Sequence, residues 1–120
     1  MIDRGIYLVI YTGEGQEDKP KDLGFLRIEK SCCKFGKSLE LSKVQERYNR
    51  HCNNQADVWI AGRFKDRDDI DLIEKKLHRH FRDMRLINRN NRPSEWMQPV
   101  NIEELRRVFH EVVRNHFSLF

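Results

Sequence analysis

The segment GIYLVIY, at residues 5–11, places the strongest constraint on how this chain can fold. It is rich in β-branched and aromatic residues, which favour a β-strand. Successive side chains of a strand point to opposite faces. The even-numbered residues therefore share one face, and the odd-numbered residues, which include Tyr7, share the other. The sequence predicts a sheet in which this strand carries the phenol of Tyr7.

The rest of the chain predicts a small α+β domain. Further strands are predicted at residues 23–28, 32–38 and 58–64. A first helix is predicted at residues 42–52, with Ser42 as N-cap and a buried face formed by Val44, Tyr48 and Cys52. A second helix is predicted to begin at residues 66–69 and to carry an apolar stripe from Ile70 to Met84. A third is predicted at about residues 101–117, with a cap at Asn101. The polar segments 12–22 and 88–93 are predicted to be loops. The order β-β-α-β-α-α indicates an α/β (α+β) fold with a small three-stranded antiparallel sheet flanked by helices.

Length and composition indicate a single domain, residues 1–120. Hydrophobic residues make up 38% of the 120 residues and charged residues 35%, which predicts a heavily solvated surface. We expect no membrane span and no signal peptide, because no apolar stretch is suited to either. The odd count of 3 cysteines favours a reducing, cytoplasmic setting over a disulfide framework. The alternative, a zinc site formed by Cys32, Cys33 and Cys52, lacks the paired C-x-x-C spacing of structural zinc.

The cations of the chain are clustered in its second half. Five arginines form a candidate nucleic-acid-binding patch: Arg79, Arg82, Arg85, Arg89 and Arg92. Lysine and arginine displace condensed counterions from DNA or RNA, so such a patch suits either partner. The alternative is a solubilising face, which the net charge of +4 favours when taken alone.

Tyr7 is a candidate general base. A phenol has an ordinary pKa of about 10, and it becomes a useful base only where nearby positive charge stabilises its phenolate. Lys37, Arg47 and a metal held by Glu74 are the candidates for that charge. The alternative is that Tyr7 is a packing residue of the strand.

Two lysines flank Phe35-Gly36 on the second main strand. Lys34 shares a face with Gly36, which leaves an open position where a phosphate can approach the backbone, while Lys37 points to the opposite face. The alternative is that both are edge lysines that discourage aggregation of the sheet.

Two predicted helices carry the remaining candidates. Arg47 and His51 lie one turn apart and point to one side, where arginine suits phosphate oxygens and histidine can orient or deprotonate a phenol. Glu74 lies at the edge of an apolar stripe, with His78 one turn further on. A carboxylate in such a position needs a cation, and Mg²⁺ or Mn²⁺ would satisfy it. A salt bridge to Lys37 or Arg47 is the structural alternative.

These residues resemble the motifs of the GIY-YIG endonuclease superfamily, in particular its small phage-associated branch, whose second motif is K-[IF]-G-K. The resemblance covers residues 5–96 and rests on GIY at residues 5–7, KFGK at residues 34–37, Arg47-x-x-x-His51 and Glu74. It implies one nuclease domain with an insertion at about residues 12–31 of the first hairpin. Lys34 takes the position of the second motif's phenol.

The later motifs of the family also have counterparts. Asn88, Asn90 and Asn91 are all candidates for the asparagine that supports the site. Ser94-Glu95-Trp96 resembles the closing E-[WF] segment of the phage branch.

The implied function is a metal-dependent endonuclease that hydrolyses DNA phosphodiester bonds. Tyr7 would activate water and His51 would orient Tyr7. Lys37 and Arg47 would stabilise the transition state, and Glu74 would hold the metal. Such chemistry requires these residues on one concave surface, with Tyr7 and Glu74 on the same side of the sheet. The alternative function is a non-catalytic or weakly catalytic nucleic-acid-binding module on the same fold.

Overall fold

The structure, a computed structural model, describes residues 1–18 and 26–118. Its strands are β1 (Gly5–Tyr11), β2 (Gln16–Asp18), β3 (Leu26–Ile28), β4 (Cys33–Ser38), β5 (Ala56–Arg63), β6 (Arg85–Ile87) and β7 (Pro93–Met97). Its helices are α1 (Val44–His51), α2 (Arg67–His80) and α3 (Ile102–Phe117). Short 3-10 turns at Leu41–Lys43 and Arg82–Met84 precede α1 and β6, so Met84 lies beyond the helix on which it was predicted. Among the helices of these described residues, none is both long and apolar enough to cross a bilayer.

Five strands form one antiparallel sheet in the order β5-β1-β4-β7-β6, and β2 and β3 form a second sheet of two strands. The predicted three-stranded sheet corresponds to the β5-β1-β4 half. The hairpin β6–β7 adds two strands that the sequence does not predict. Its turn contains residues 88–92 of the predicted loop 88–93, and Pro93 already belongs to β7. β6 has only 3 residues and β7 only 5, so neither provides the length over which a period of two can be recognised.

The two faces of β1 are buried in two different cores, as its sequence pattern predicts. The even-numbered face packs with Ile73 and Leu77 of α2 and with Leu105 of α3. The odd-numbered face packs with Val44 of α1 and with Trp96 of β7. The sheet therefore separates a core beneath α2 and α3 from a core beneath α1, and it determines from which side each functional side chain approaches.

The predicted cap of α3 at Asn101 is confirmed, and α2 begins with a cap of the same kind at Asp66. Asp66 and Asn101 each accept a hydrogen bond at 2.8 Å from a backbone N–H in the first turn of α2 and α3. The prediction that Ser42 caps α1 is wrong. Its hydroxyl donates to Asp3 Oδ2 at 2.7 Å, and α1 begins at Val44 after the 3-10 turn.

The insertion at about residues 12–31 is partly a strand, where a loop was predicted. β2 lies within the predicted loop and pairs with β3, which confirms the predicted strand at Leu26–Ile28. Residues 19–25, which complete the predicted loop and begin the predicted strand, lie outside the described residues. Gln16 Nε2 donates to the carbonyl of His51 at 3.2 Å, and Glu17 pairs with Arg89 at 2.9 Å. These contacts attach β2 to α1 and to the β6–β7 turn.

Candidate active site at the edge of strand β4

The ring of Tyr7 lies directly against the backbone of Gly36. The two residues are partners in the antiparallel β1–β4 ladder. A Cβ atom at residue 36 would lie closer to Cζ and the hydroxyl oxygen of Tyr7 than van der Waals contact allows. The open position expected beside Lys34 is therefore filled by the Tyr7 ring, and Gly36 serves to accommodate that ring.

Gly36→Ala is expected to displace Tyr7 and to destabilise the protein by about 1–3 kcal/mol, the usual cost of overpacking a well-packed core. Thermal unfolding measures this loss. The control is the same substitution in a Tyr7→Ala background, where the added methyl group meets no ring and should cost little. An equal cost in both backgrounds would show that the clash lies elsewhere.

The Tyr7 hydroxyl lies between two residues of α1. Arg47 Nη2 donates a hydrogen bond to it at 3.2 Å, and the Tyr48 hydroxyl oxygen lies 3.2 Å away. Burial raises the pKa of Tyr7, and a negative charge on Tyr48 and the hydrogen bond with Tyr48 raise it further, whereas the positive charges of Lys34 and Arg47 lower it. Tyr7, the candidate base, thus contacts Arg47 as predicted. Its surroundings disfavour ionisation unless further positive charge is present nearby.

Tyr48 is a site residue that the sequence assigned to the core alone. Its side chain is 6% exposed and lies on the same helix face as Val44, as its spacing predicts. Helical periodicity identifies a buried face, but it does not distinguish a purely apolar side chain from an aromatic one with a polar tip. The neighbouring Arg47 was the available signal, because it places a phenol and a guanidinium at one end of the same helix.

Lys34 is enclosed by aromatic rings and a carboxylate. Its Nζ lies 5.1 Å from the centroid of the Tyr48 ring, 5.2 Å from that of Trp96 and 3.7 Å from Glu95 Oε2. Only 14% of its side chain is exposed. An edge lysine that prevents aggregation acts through its hydrated charge, so this burial favours a role for Lys34 within the site.

Lys37 and Glu74 meet on the opposite face of the sheet. Lys37 Nζ lies 2.8 Å from Asp71 Oδ1 and 3.9 Å from Glu74 Oε1, and both carboxylates belong to α2. The structural alternative for Glu74, a salt bridge to Lys37, is therefore present as a loose contact. Asp71, which the sequence did not indicate, is the nearer partner of that lysine. The Glu74 side chain is 14% exposed. Burial raises the pKa of Glu74 to about 7, and the charge of Glu95 adds to the effect.

Tyr7 and Glu74 approach the site from opposite faces, so the expected single surface on one side of the sheet is not formed. Tyr7 lies in the core beneath α1, whereas α2, which carries Glu74, covers the other face. The positive charge of Lys34 on β4 lowers the pKa of both Tyr7 and Glu74, so both groups lie within electrostatic range of this lysine. The candidate site therefore consists of two groups of residues on opposite faces of the sheet, and Lys34 influences both.

Two histidines lie at the periphery of the site, His51 next to Tyr48 and His78 one turn after Glu74. The ring of His51 lies edge-on to Tyr48, with 6.3 Å between centroids, so the structure places it against the second phenol. His78 lies one turn after Glu74, and its Nε2 atom is buried without a hydrogen-bond partner. Burial lowers the pKa of His78, which keeps its ring uncharged at neutral pH. An uncharged imidazole there leaves the charge of Glu74 to be balanced by other groups.

The oxygen donors of Glu74 and Glu95 fit a hard divalent cation. Mg²⁺ is typically held by one or two carboxylates, and waters and substrate phosphates complete its coordination. The described residues contain no group of three or more His, Cys, Asp and Glu side chains that could enclose a metal. The same finding argues against the zinc alternative, since Cys32 and Cys33 are free thiols buried in different cores.

The predicted arginine patch divides into structural and exposed members. Arg85 Nε donates to the carbonyl of Ser94 within the β6–β7 hairpin, and Arg89 pairs with Glu17 of β2. Arg79, Arg82 and Arg92 are exposed, and so is Arg89 despite its ion pair. A nucleic acid can therefore be contacted by part of the cluster while the rest supports the hairpin.

Asn88 is the buried member of the three candidate asparagines. Its Oδ1 accepts hydrogen bonds from the backbone N–H groups of Asn90 at 2.9 Å and Arg92 at 3.1 Å, and Asn91 adopts a left-handed conformation with φ 59°. These contacts shape the turn that leads into β7. Asn88 thus supports the strand that brings Glu95 to the edge of β4.

The chain was compared with known families, curated proteins and solved structures. The profile of the T5orf172 domain matches residues 7–113, a range that includes Tyr7, Lys34, Arg47 and Glu74. The searches of curated proteins and of solved structures found no match. Because the profile covers most of its length, the chain belongs to the T5orf172 domain family, a phage-associated family in the GIY-YIG-like, homing-endonuclease-related group.

Proposed function

We propose that this protein is a metal-dependent endonuclease that hydrolyses DNA phosphodiester bonds. Membership of the T5orf172 family supports a nuclease or nucleic-acid-binding role. The observation that carries the more specific proposal is the position of Lys34, whose charge acts on both Tyr7 and Glu74. The position of Tyr7 and Glu74 on opposite faces of the sheet counts against their joint action, so the proposal requires that a phosphate near Lys34 contact both groups around the edge of β4.

In this mechanism Tyr7 is the general base that takes a proton from the attacking water. Arg47, which donates a hydrogen bond to the Tyr7 oxygen, stabilises the phenolate. The buried setting opposes ionisation of Tyr7, so the phenolate forms only where the positive charges around it outweigh the cost of burial. Only 5% of Tyr7 is exposed, so its interaction with Arg47 is weakly screened by solvent.

Lys34 and Lys37 can both stabilise the negative charge of the phosphate. Lys37 is 47% exposed at the edge of β4 and can turn from Asp71 to a phosphate oxygen. Lys34 is enclosed and holds its charge in place without rearrangement, as preorganised stabilisation of a transition state requires. Glu74, with Glu95 close by, would hold Mg²⁺ or Mn²⁺. Such an ion, when bound, polarises the scissile phosphate and stabilises the leaving oxygen.

A plasmid-nicking assay tests the proposal. Supercoiled DNA should be nicked in the presence of Mg²⁺ or Mn²⁺, and nicking should cease when a chelator is added. A well-folded protein that binds DNA but never nicks it under these conditions would support the alternative, a nucleic-acid-binding module on the same fold. Single-stranded RNA offered in parallel separates DNA from RNA as the substrate.

The exposed arginines carry a prediction that holds for either function. Neutralising Arg82 and Arg92 together is expected to reduce the slope of log affinity against log salt by about one unit for each phosphate that these side chains neutralise in the wild-type complex. The matched control neutralises Arg107 and Arg114, two exposed arginines of α3. A salt slope that is unchanged in the first variant, or reduced equally in both, would identify the predicted patch as a solubilising face.

A further inference from the structure

We propose that Tyr48 supplies a second phenol to the site, which shares a proton with Tyr7 and stabilises the Tyr7 phenolate during cleavage. This inference rests on the proposed function and adds to it a residue from α1. The two hydroxyl oxygens lie 3.2 Å apart, and the rings meet edge to face with 5.9 Å between centroids. Tyr48 is therefore in direct contact with the reacting oxygen of the candidate base.

The chemistry of the donors determines the direction of this hydrogen bond. Arg47 carries only donors, so the Tyr7 oxygen already accepts one hydrogen bond at 3.2 Å. Once Tyr7 loses its proton, its oxygen can only accept, and the hydroxyl of Tyr48 becomes the donor between the two phenols. The phenolate then receives two charge-assisted hydrogen bonds from α1, one from Arg47 and one from Tyr48.

The charged and titratable groups around the pair favour one negative charge. Lys34 faces Tyr48 from β4, with 5.1 Å from Nζ to the ring centroid, and Glu95 lies beyond that lysine. From α1, Arg47 lies 5.6 Å from the same centroid and the His51 ring lies edge-on to it.

Two negative charges are disfavoured, because a charge on Tyr48 raises the pKa of Tyr7. The pair thus loses one proton and shares the one that remains, as closely spaced carboxylates do in other enzymes.

Tyr48→Phe tests the inference, because it removes the hydroxyl and keeps the buried ring. We expect cleavage at neutral pH to fall about 100-fold, as for the loss of one preorganised donor. The alkaline rise of the pH–rate profile should move to higher pH, because Tyr48 no longer donates a hydrogen bond to the Tyr7 phenolate. A move to lower pH would overturn the inference, because it would show that Tyr7 donates to Tyr48, the direction in which this hydrogen bond raises the pKa of Tyr7. The control is Tyr11→Phe. Tyr11 is buried on the same face of β1, but its hydroxyl accepts from the backbone N–H of Gly15 at 3.1 Å.

A second measurement does not depend on activity. The chain has 3 tyrosines, so the three Cζ resonances of ¹³C-labelled tyrosine can be assigned by substitution. The Tyr7 resonance should shift in Tyr48→Phe and remain in place in Tyr11→Phe.

The possible outcomes separate this inference from the proposed function. An active wild type and a Tyr48→Phe variant with the same rate and pH profile would overturn the role of Tyr48 and leave the nuclease proposal intact. An inactive wild type would overturn the nuclease proposal and the catalytic role of Tyr48 together. In that case a shifted Tyr7 resonance would still support the hydrogen-bonded pair, and an unshifted one would overturn it as well.

Discussion

The Glu74→Gln variant should lose metal-dependent cleavage by about 100-fold or more while it remains folded and binds DNA. Glutamine keeps the shape and most of the hydrogen-bonding capacity of the side chain, but it lacks the negative charge that a hard divalent cation requires. Loss of a metal that polarises the phosphate removes several kcal/mol of transition-state stabilisation. Nicking rates at saturating Mg²⁺, with DNA binding measured on the same preparations, check the result.

Asp71→Asn is the matched control for Glu74→Gln. Both variants remove one carboxylate of α2 that lies near Lys37, and Asp71 is the nearer of the two at 2.8 Å. If the role of Glu74 is only to pair with that lysine, the two variants should lower stability alike and affect cleavage alike. A well-folded Glu74→Gln protein that cleaves at the wild-type rate would remove the metal-site assignment and with it the proposed mechanism.

Glu74→Gln should also change how stability depends on pH. Burial raises the pKa of Glu74 from 4.5 to about 7, so the folded protein binds more protons than the unfolded chain between these values. The wild-type free energy of unfolding should therefore fall as pH rises through this window, by on the order of 2 kcal/mol from this group. The variant should lack that decrease. In wild type at higher pH, added Mg²⁺ should raise the melting temperature, and in the variant it should not.

The second large effect is expected for Tyr7→Phe, with cleavage reduced about 100- to 1,000-fold, the usual contribution of a general base. The phenyl ring still fills the space against Gly36, so the core beneath α1 should be retained. Loss of the hydroxyl removes its 3.2 Å contacts with Arg47 and Tyr48, which should cost about 1 kcal/mol of stability. Cleavage rates and thermal unfolding of the same samples measure the two effects separately.

Two other outcomes for Tyr7→Phe would contradict its role as the general base. Full activity would show that another group deprotonates the water, and it would leave the role of Glu74 untouched. Loss of activity accompanied by a large loss of stability would instead show that the hydroxyl of Tyr7, through its contacts with Arg47 and Tyr48, supports the fold. Far-ultraviolet circular dichroism of the variant distinguishes these two cases.

Much of the fold could be predicted because it depends on local patterns. The alternation in β1 predicted which side chains enter each core, and the short polar side chain of Asn101 predicted the start of α3. The hairpin β6–β7 could not be predicted in this way. Its strands are short and are stabilised by pairing with each other and with β4, which are contacts between residues distant in the sequence.

The sequence by itself determined which residue types are available for chemistry: a phenol on β1, lysines on β4, an arginine on α1 and a carboxylate on the apolar stripe of α2. Only the tertiary structure decided how they meet. The sheet places Tyr7 and Glu74 on opposite faces, and the addition of β7 brings Glu95 to Lys34 at the edge of β4. Periodicity describes one element at a time, whereas the distance between two side chains depends on how separate elements pack. For the same reason Tyr48 was predicted to belong to the core, and its hydroxyl became part of the site only when α1 packed against β1.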